Sequence, residues 1–196
     1  MITTSINEEM KLSEHLASPS EAALSHSCVP AVASDQRSSA SELDGLRLSP
    51  NFTLGELTKT SYHTLDGNIP SRVAIENLRN LCENWLEDLR YSQNTLYGRK
   101  GEKEMPIVIT SGYRSDEVNR MCGGAKGSNH LTGCAVDIKC YGPEQMIRMA
   151  GILLDIADGT KRDFDELILE KRGTTYWIHF AVRPKDNRRK ILFDCR

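Results

Sequence analysis

The 196-residue chain lacks any apolar run long enough to cross a bilayer, so no membrane insertion is expected. It also lacks a charge excess: 25 Lys and Arg stand against 27 Asp and Glu, leaving a formal charge of -2 and no electrostatic case for nucleic acid. The one basic cluster, Arg183, Lys185, Arg188, Arg189 and Lys190, reads as a solvated surface. Six cysteines occur without a single C-x-x-C spacing, which argues against a cysteine-based metal or redox site; they read as reduced, mostly buried small hydrophobes. The N-terminus has neither a basic n-region nor an apolar h-region, so no Sec signal is expected there. Residues Met1 to Pro50 are poor in aromatics and rich in Ser, Ala and Glu. They read as a disordered leader with a short frayed helix near Glu8 to Leu16.

Order is expected from Asn51, giving one domain over 51–196. Thr53 followed by Glu56 is a capping box, with Phe52 and Leu57 placed as its staple. From Pro70 to about Tyr91, Ile75, Leu78, Cys82, Trp85 and Leu89 recur at spacings of three and four, the mark of one long amphipathic helix. Ser92 to Glu104 reads as a loop and Pro106 to Thr110 as a strand, after which Ser115 caps a short helix. A third helix is expected over Glu144 to Ile156, then a hairpin of Phe164 to Glu170 with Trp177 to Val182. Early helices and late, hairpin-connected strands predict an α+β fold with a small antiparallel sheet.

Two strands, a short one around Asp137 and that of Trp177 to Val182, carry one polar residue each among apolar neighbours. Asp137 lies between Val136 and Ile138, and His179 between Ile178 and Phe180. A third such group, His130, sits just before Gly133, which permits the bend that would bring His130 and Asp137 to one centre. Two imidazoles and a carboxylate form a set that can hold zinc and leave a fourth position open, as catalytic zinc sites do. Cys134 and Cys140 bracket Asp137 but alternate onto the other face of the strand. His63 has no partner at ligand spacing and reads as a surface or satisfied histidine.

Ser128-x-His130-x-x-Gly133-x-Ala135-x-Asp137, followed by Trp177-x-His179, resembles the zinc D-alanyl-D-alanine carboxypeptidase family. That family also takes in phage L-alanyl-D-glutamate endolysins, and the hedgehog signalling domain shares its fold. The segment Thr110-Ser111-Gly112-Tyr113-Arg114-Ser115 resembles the family's substrate-binding segment.

The resemblance implies a zinc peptidase acting on peptidoglycan stem peptides at an amide involving a D-amino acid, as a carboxypeptidase or an endopeptidase; a monomer is expected. His130, Asp137 and His179 would bind the metal, Arg114 would neutralise the oxyanion, and Ser128, Tyr113 and Trp177 would contact substrate. The position three before the last ligand, acidic or histidine in several members, is Tyr176 here. Glu170 is therefore the expected base, with Glu166 in reserve. A wall enzyme without a Sec signal would stay cytoplasmic until lysis or another release route, as a phage lysis or tail protein would. The competing expectation is a non-catalytic zinc domain that binds wall or protein.

Overall fold

The computed structural model describes residues 44–195. The expectations for a leader and for its helix near Glu8 lie outside the described residues, up to residue 43. Core contacts begin ahead of Asn51: Leu48 is 1% exposed, and Arg47 bridges Thr53 in antiparallel fashion.

The first helix, α1 (Leu54–Thr58), opens on the expected capping box. The Thr53 hydroxyl accepts from the Glu56 amide, and the Glu56 carboxylate accepts from the Thr53 amide at 2.9 Å. Phe52 and Leu57 are both buried beside it. Ser71 caps α2 (Arg72–Leu81), which passes through one π turn, Cys82–Leu86, into α3 (Glu87–Tyr97). The extra residue of the π turn shifts the helix phase, so that Leu81, Cys82, Trp85, Leu86 and Leu89 are all buried. The helix runs on to Tyr97, past the loop expected from Ser92, with Gln93 buried and the Asn94 side chain bonded to Arg90 and Met105.

After β1 (Ile109–Ser111) comes α4 (Asp116–Met121), capped by Ser115 as expected. A 3₁₀ turn, Asn129–Thr132, leads into β2 (Ala135–Cys140). Helix α5 (Pro143–Thr160) crosses back, and β3 (Glu166–Arg172) and β4 (Thr175–Ala181) form a hairpin with a two-residue turn at Gly173 and Thr174. A fifth strand, β5 (Lys190–Cys195), completes a sheet of order β1-β2-β4-β3-β5.

The sheet is mixed, and this corrects the antiparallel sheet read from the sequence. β3 pairs antiparallel with β4 on one side and parallel with β5 on the other, Glu166 opposite Lys190. The class remains α+β.

The two faces of the sheet have different tasks. Val136, Ile138, Leu167, Leu169, Ile178 and Phe180 are buried on the face that meets the helices. Trp85 is the anchor between them, 5.0 Å from the Phe180 ring and 6.4 Å from Phe164, centroid to centroid. Because side chains alternate, residues 137, 177, 179 and 170 fall on the opposite face. Cys134 and Cys140 are buried as expected, and burial pushes the Cys140 thiol up to about 12.

Candidate metal centre and active-site cleft

The β2–β4 register sets Asp137 directly opposite His179. Across this pair, His179 Nδ1 lies 3.0 Å from Asp137 Oδ1. His130 arrives from the 3₁₀ turn, its Nε2 3.2 Å from Asp137 Oδ1 and 3.2 Å from His179 Nδ1. The turn can approach so closely because Gly133 takes φ +71° and packs on α2, where a Cβ would meet the Ala74 carbonyl oxygen at 2.4 Å. On its far side the His130 Nδ1–H donates to the Gly112 carbonyl at 2.6 Å, which leaves Nε2 as the lone-pair nitrogen facing the centre.

His130, Asp137 and His179 can each offer one ligand atom, and these atoms lie within 4.8 Å of one another. All three residues are at most 9% exposed. Two buried imidazoles and a carboxylate without other liganding groups are unfavourable as bare neighbours, but suit a borderline-soft divalent ion such as zinc. The donor set therefore fits the metal.

Arg114 encloses the carboxylate from behind. Its Nη2 contacts Asp137 Oδ2 and its Nε donates to Ser111 Oγ at 2.8 Å, so Asp137 keeps Oδ1 for the histidines. Burial opposes the charge on Asp137, yet the neighbouring histidines hold its carboxyl far below the usual range. Burial also works against a charged His179, but hydrogen bonds to Asp137 and Glu166 outweigh it and raise the ring to about 9.

A cleft of about 680 Å³ opens over this centre. Arg114, Ser128, Glu166, Glu170 and Trp177 line it together with the three candidate ligands. Ser128 also caps the 3₁₀ turn, accepting from the His130 amide at 3.3 Å. Tyr113 lies elsewhere, in an adjoining cavity on the other side of Arg114. Tyr176 alternates onto the helix-packed face, and His63 is exposed.

The two candidate carboxylates differ in environment. Glu166 is tied down: its Oε2 is 3.5 Å from His179 Nε2, and its Oε1 meets Lys190 at 3.2 Å and Arg188 at 3.0 Å. The His179 contact, helped by Lys190, holds it at about 2. Glu170, paired across the hairpin with Trp177, is shifted the other way by burial and by the charge of Asp137.

Behind Glu166 sits Asp165, fully buried. It accepts from Arg188 Nε at 2.8 Å and Nη2 at 2.7 Å and from Asn129 at 2.9 Å, with Arg183 Nη2 at 3.0 Å. The basic cluster read as a solvated surface does stay largely exposed, but it is paired: Arg183 and Arg188 with Asp165, Arg188 and Lys190 with Glu166, and Arg189 with Asp158 and Asp163. Nothing local in the sequence assigns Asp165, Asn129, Arg183 or Arg188 a role at the site. The available signal was the Phe-Asp-Glu run at 164–166, one charge too many for a plain strand start.

A family model described as Peptidase M15 matches residues 50–155, more than half of the chain. The chain belongs to the Peptidase M15 family. This is the zinc D-alanyl-D-alanine carboxypeptidase family, so membership makes the protein a metallopeptidase by descent and zinc the metal that its His-Asp-His group suits. The matched M15 segment holds Arg114, His130 and Asp137 and stops short of His179, Glu166 and Glu170. The β2–β4 register brings His179 to the matched part, and the β3–β4 hairpin carries Glu166 and Glu170 beside it. No curated protein matches the chain. Among the described residues, no helix is long and apolar enough to cross a membrane.

Proposed function

We propose that this M15 protein hydrolyses an amide bond involving a D-amino acid in the peptide stems of peptidoglycan. One observation carries the reading: His130, Asp137 and His179 converge on one centre, and Arg114 and Glu170 line the same cleft. Bound at that centre, zinc supplies Lewis acidity toward the amide carbonyl and lowers the pKa of water.

Glu170 is the base in this reading. It takes a proton from the attacking water at a carboxylate oxygen and returns it to the leaving amine nitrogen. Its environment favours that exchange, since burial raises its pKa above the ordinary value, whereas Glu166 is held as a fixed anion at about 2. Arg114 faces the same cleft with a permanent cation, which offsets the negative charge that develops on the carbonyl oxygen. Ser128 and Trp177 line the walls and orient the peptide.

Mass spectrometry of purified peptidoglycan digested with the zinc-loaded protein tests this. Stem-peptide fragments or free D-alanine are expected, abolished by a chelator and restored by zinc. Intact peptidoglycan in the presence of zinc-loaded protein contradicts hydrolysis of this substrate, leaving a zinc domain that binds wall or protein.

A further inference from the structure

Two cavities meet at Arg114. One is the cleft over the metal centre; the other, of about 460 Å³, lies beyond it and is lined by Lys59, Ser61, Tyr62 and Tyr113. Both are walled by Thr110, Arg114 and Cys122. The partition includes a contact between two side chains, Arg114 Nη1 to Cys122 Sγ at 3.6 Å. The second cavity is of a size that holds a ligand group, and nothing in the chemistry above uses it.

Its lining is selective. The charged side chains among the residues that line it, Lys59 and Arg114, are both cations. Arg114 is engaged with Asp137, but Lys59 is exposed and makes no ion pair with another described residue. Tyr62 and Tyr113 add amphipathic walls, each an apolar ring with a polar tip.

A peptidase that removes one terminal residue needs a closed wall just past the leaving group. Here a second cavity adjoins the cleft, and the wall between them is made of side chains, Thr110, Arg114 and Cys122. We infer that the second cavity is a substrate subsite: a stem peptide lying across the metal centre continues past Arg114 into it, seats a carboxylate-bearing residue against Lys59, and is cut at an internal bond. This rests on the peptidase reading and narrows it to an endopeptidase. The peptide chain stays whole except at the hydrolysed amide, where water supplies OH to the acyl carbon and H to the amine.

The test uses zinc-loaded full-length protein and synthetic stem peptides, intact and shortened from each end. Shortening from one end is expected to lower kcat/KM at least about tenfold, because remote binding energy is lost. Ser61→Trp fills the cavity, and in it the same shortening should cost less than about threefold. Lys59→Gln should erase most of a preference of about fivefold or more for a carboxylate over a carboxamide at the seated residue. A full shortening penalty in Ser61→Trp, or release of nothing but single C-terminal residues by the native protein, overturns the inference. If the native protein cleaves no stem peptide, the peptidase reading fails separately. Calorimetry with the same peptides then decides the subsite: binding weakened about tenfold in Ser61→Trp supports it, and equal affinity overturns it.

Discussion

Asp137 and His179 face each other across the β2–β4 pair at 3.0 Å, so the register of one strand pair builds two-thirds of the metal centre. A slip of one residue in either strand would send its ligand to the helix-packed face and break the pair. The centre is therefore as strongly specified as the core behind it, where Val136, Ile138, Ile178 and Phe180 are all buried.

Replacing either of these ligands should remove the metal without unfolding the chain. Asp137→Ala is expected to weaken zinc binding by more than the roughly 100-fold typical of outer-shell changes. Competition with a chromogenic chelator measures this. Circular dichroism should stay native-like, since the apolar face is unchanged.

Glu166→Gln and Glu170→Gln should separate two roles. Glu166 touches His179 from behind, at 3.5 Å, so its loss should weaken zinc about 10- to 100-fold. Glu170→Gln should keep zinc and lose about 10²- to 10⁴-fold in kcat/KM. A variant pair with these effects exchanged would make Glu166 the base.

The pH profile follows from the same assignment. A base is active when deprotonated, so activity should fall as pH drops through the pKa of Glu170. Burial and the charge of Asp137 raise that pKa, placing the acid limb above the ordinary glutamate value of 4.5. Kinetics of kcat/KM against pH check this, and the limb should vanish in Glu170→Gln.

Asp165 should matter for stability rather than chemistry. Burial opposes its charge, but hydrogen bonds from Arg188 and Asn129 hold it at about 2, below the unfolded value of 3.8. A depressed carboxylate stabilises the fold above the unfolded pKa and loses that contribution as pH falls through the folded one. The contribution at neutral pH is about 2 kcal/mol. Asp165→Asn should lose it, lower the Tm, and flatten the dependence of stability on pH between 4 and 2 in acid melts.

Gly133→Ala should be costly as well. The position has φ +71°, and the added Cβ would meet the Ala74 carbonyl, so about 2 kcal/mol or more should be lost in denaturant titrations. Zinc affinity should fall with it, because His130 rides on the same turn.

Much of the site was legible because its signals are local. Asp137 and His179 stand out as lone polar residues in alternating strands, His130 precedes the glycine its turn requires, and Glu170 belongs to the hairpin that faces Trp177. The capping box at Thr53 and the stripe from Ile75 to Leu89 are local too. What escaped was long-range. β5 is an edge strand whose Ile191, Leu192 and Phe193 are 43%, 41% and 72% exposed, so no alternation marks it. Its parallel pairing with β3 depends on a connection through the basic run. Asp165 and Arg188 are 23 positions apart, and neither has a local pattern that names the other. The chain from Ser92 to Tyr97 is polar like a loop, yet the helix continues because Gln93 is buried and Asn94 bonds back to Arg90 and on to Met105.

Everything proposed for this cleft rests on His130, Asp137 and His179 holding a zinc ion with an open position. Anomalous X-ray scattering at the zinc edge from crystals of the zinc-loaded protein tests it most directly. A single strong peak bonded to those three residues is expected, with the remaining position facing the cleft lined by Glu170 and Arg114. A peak elsewhere, or a fourth protein ligand closing the site, would contradict it.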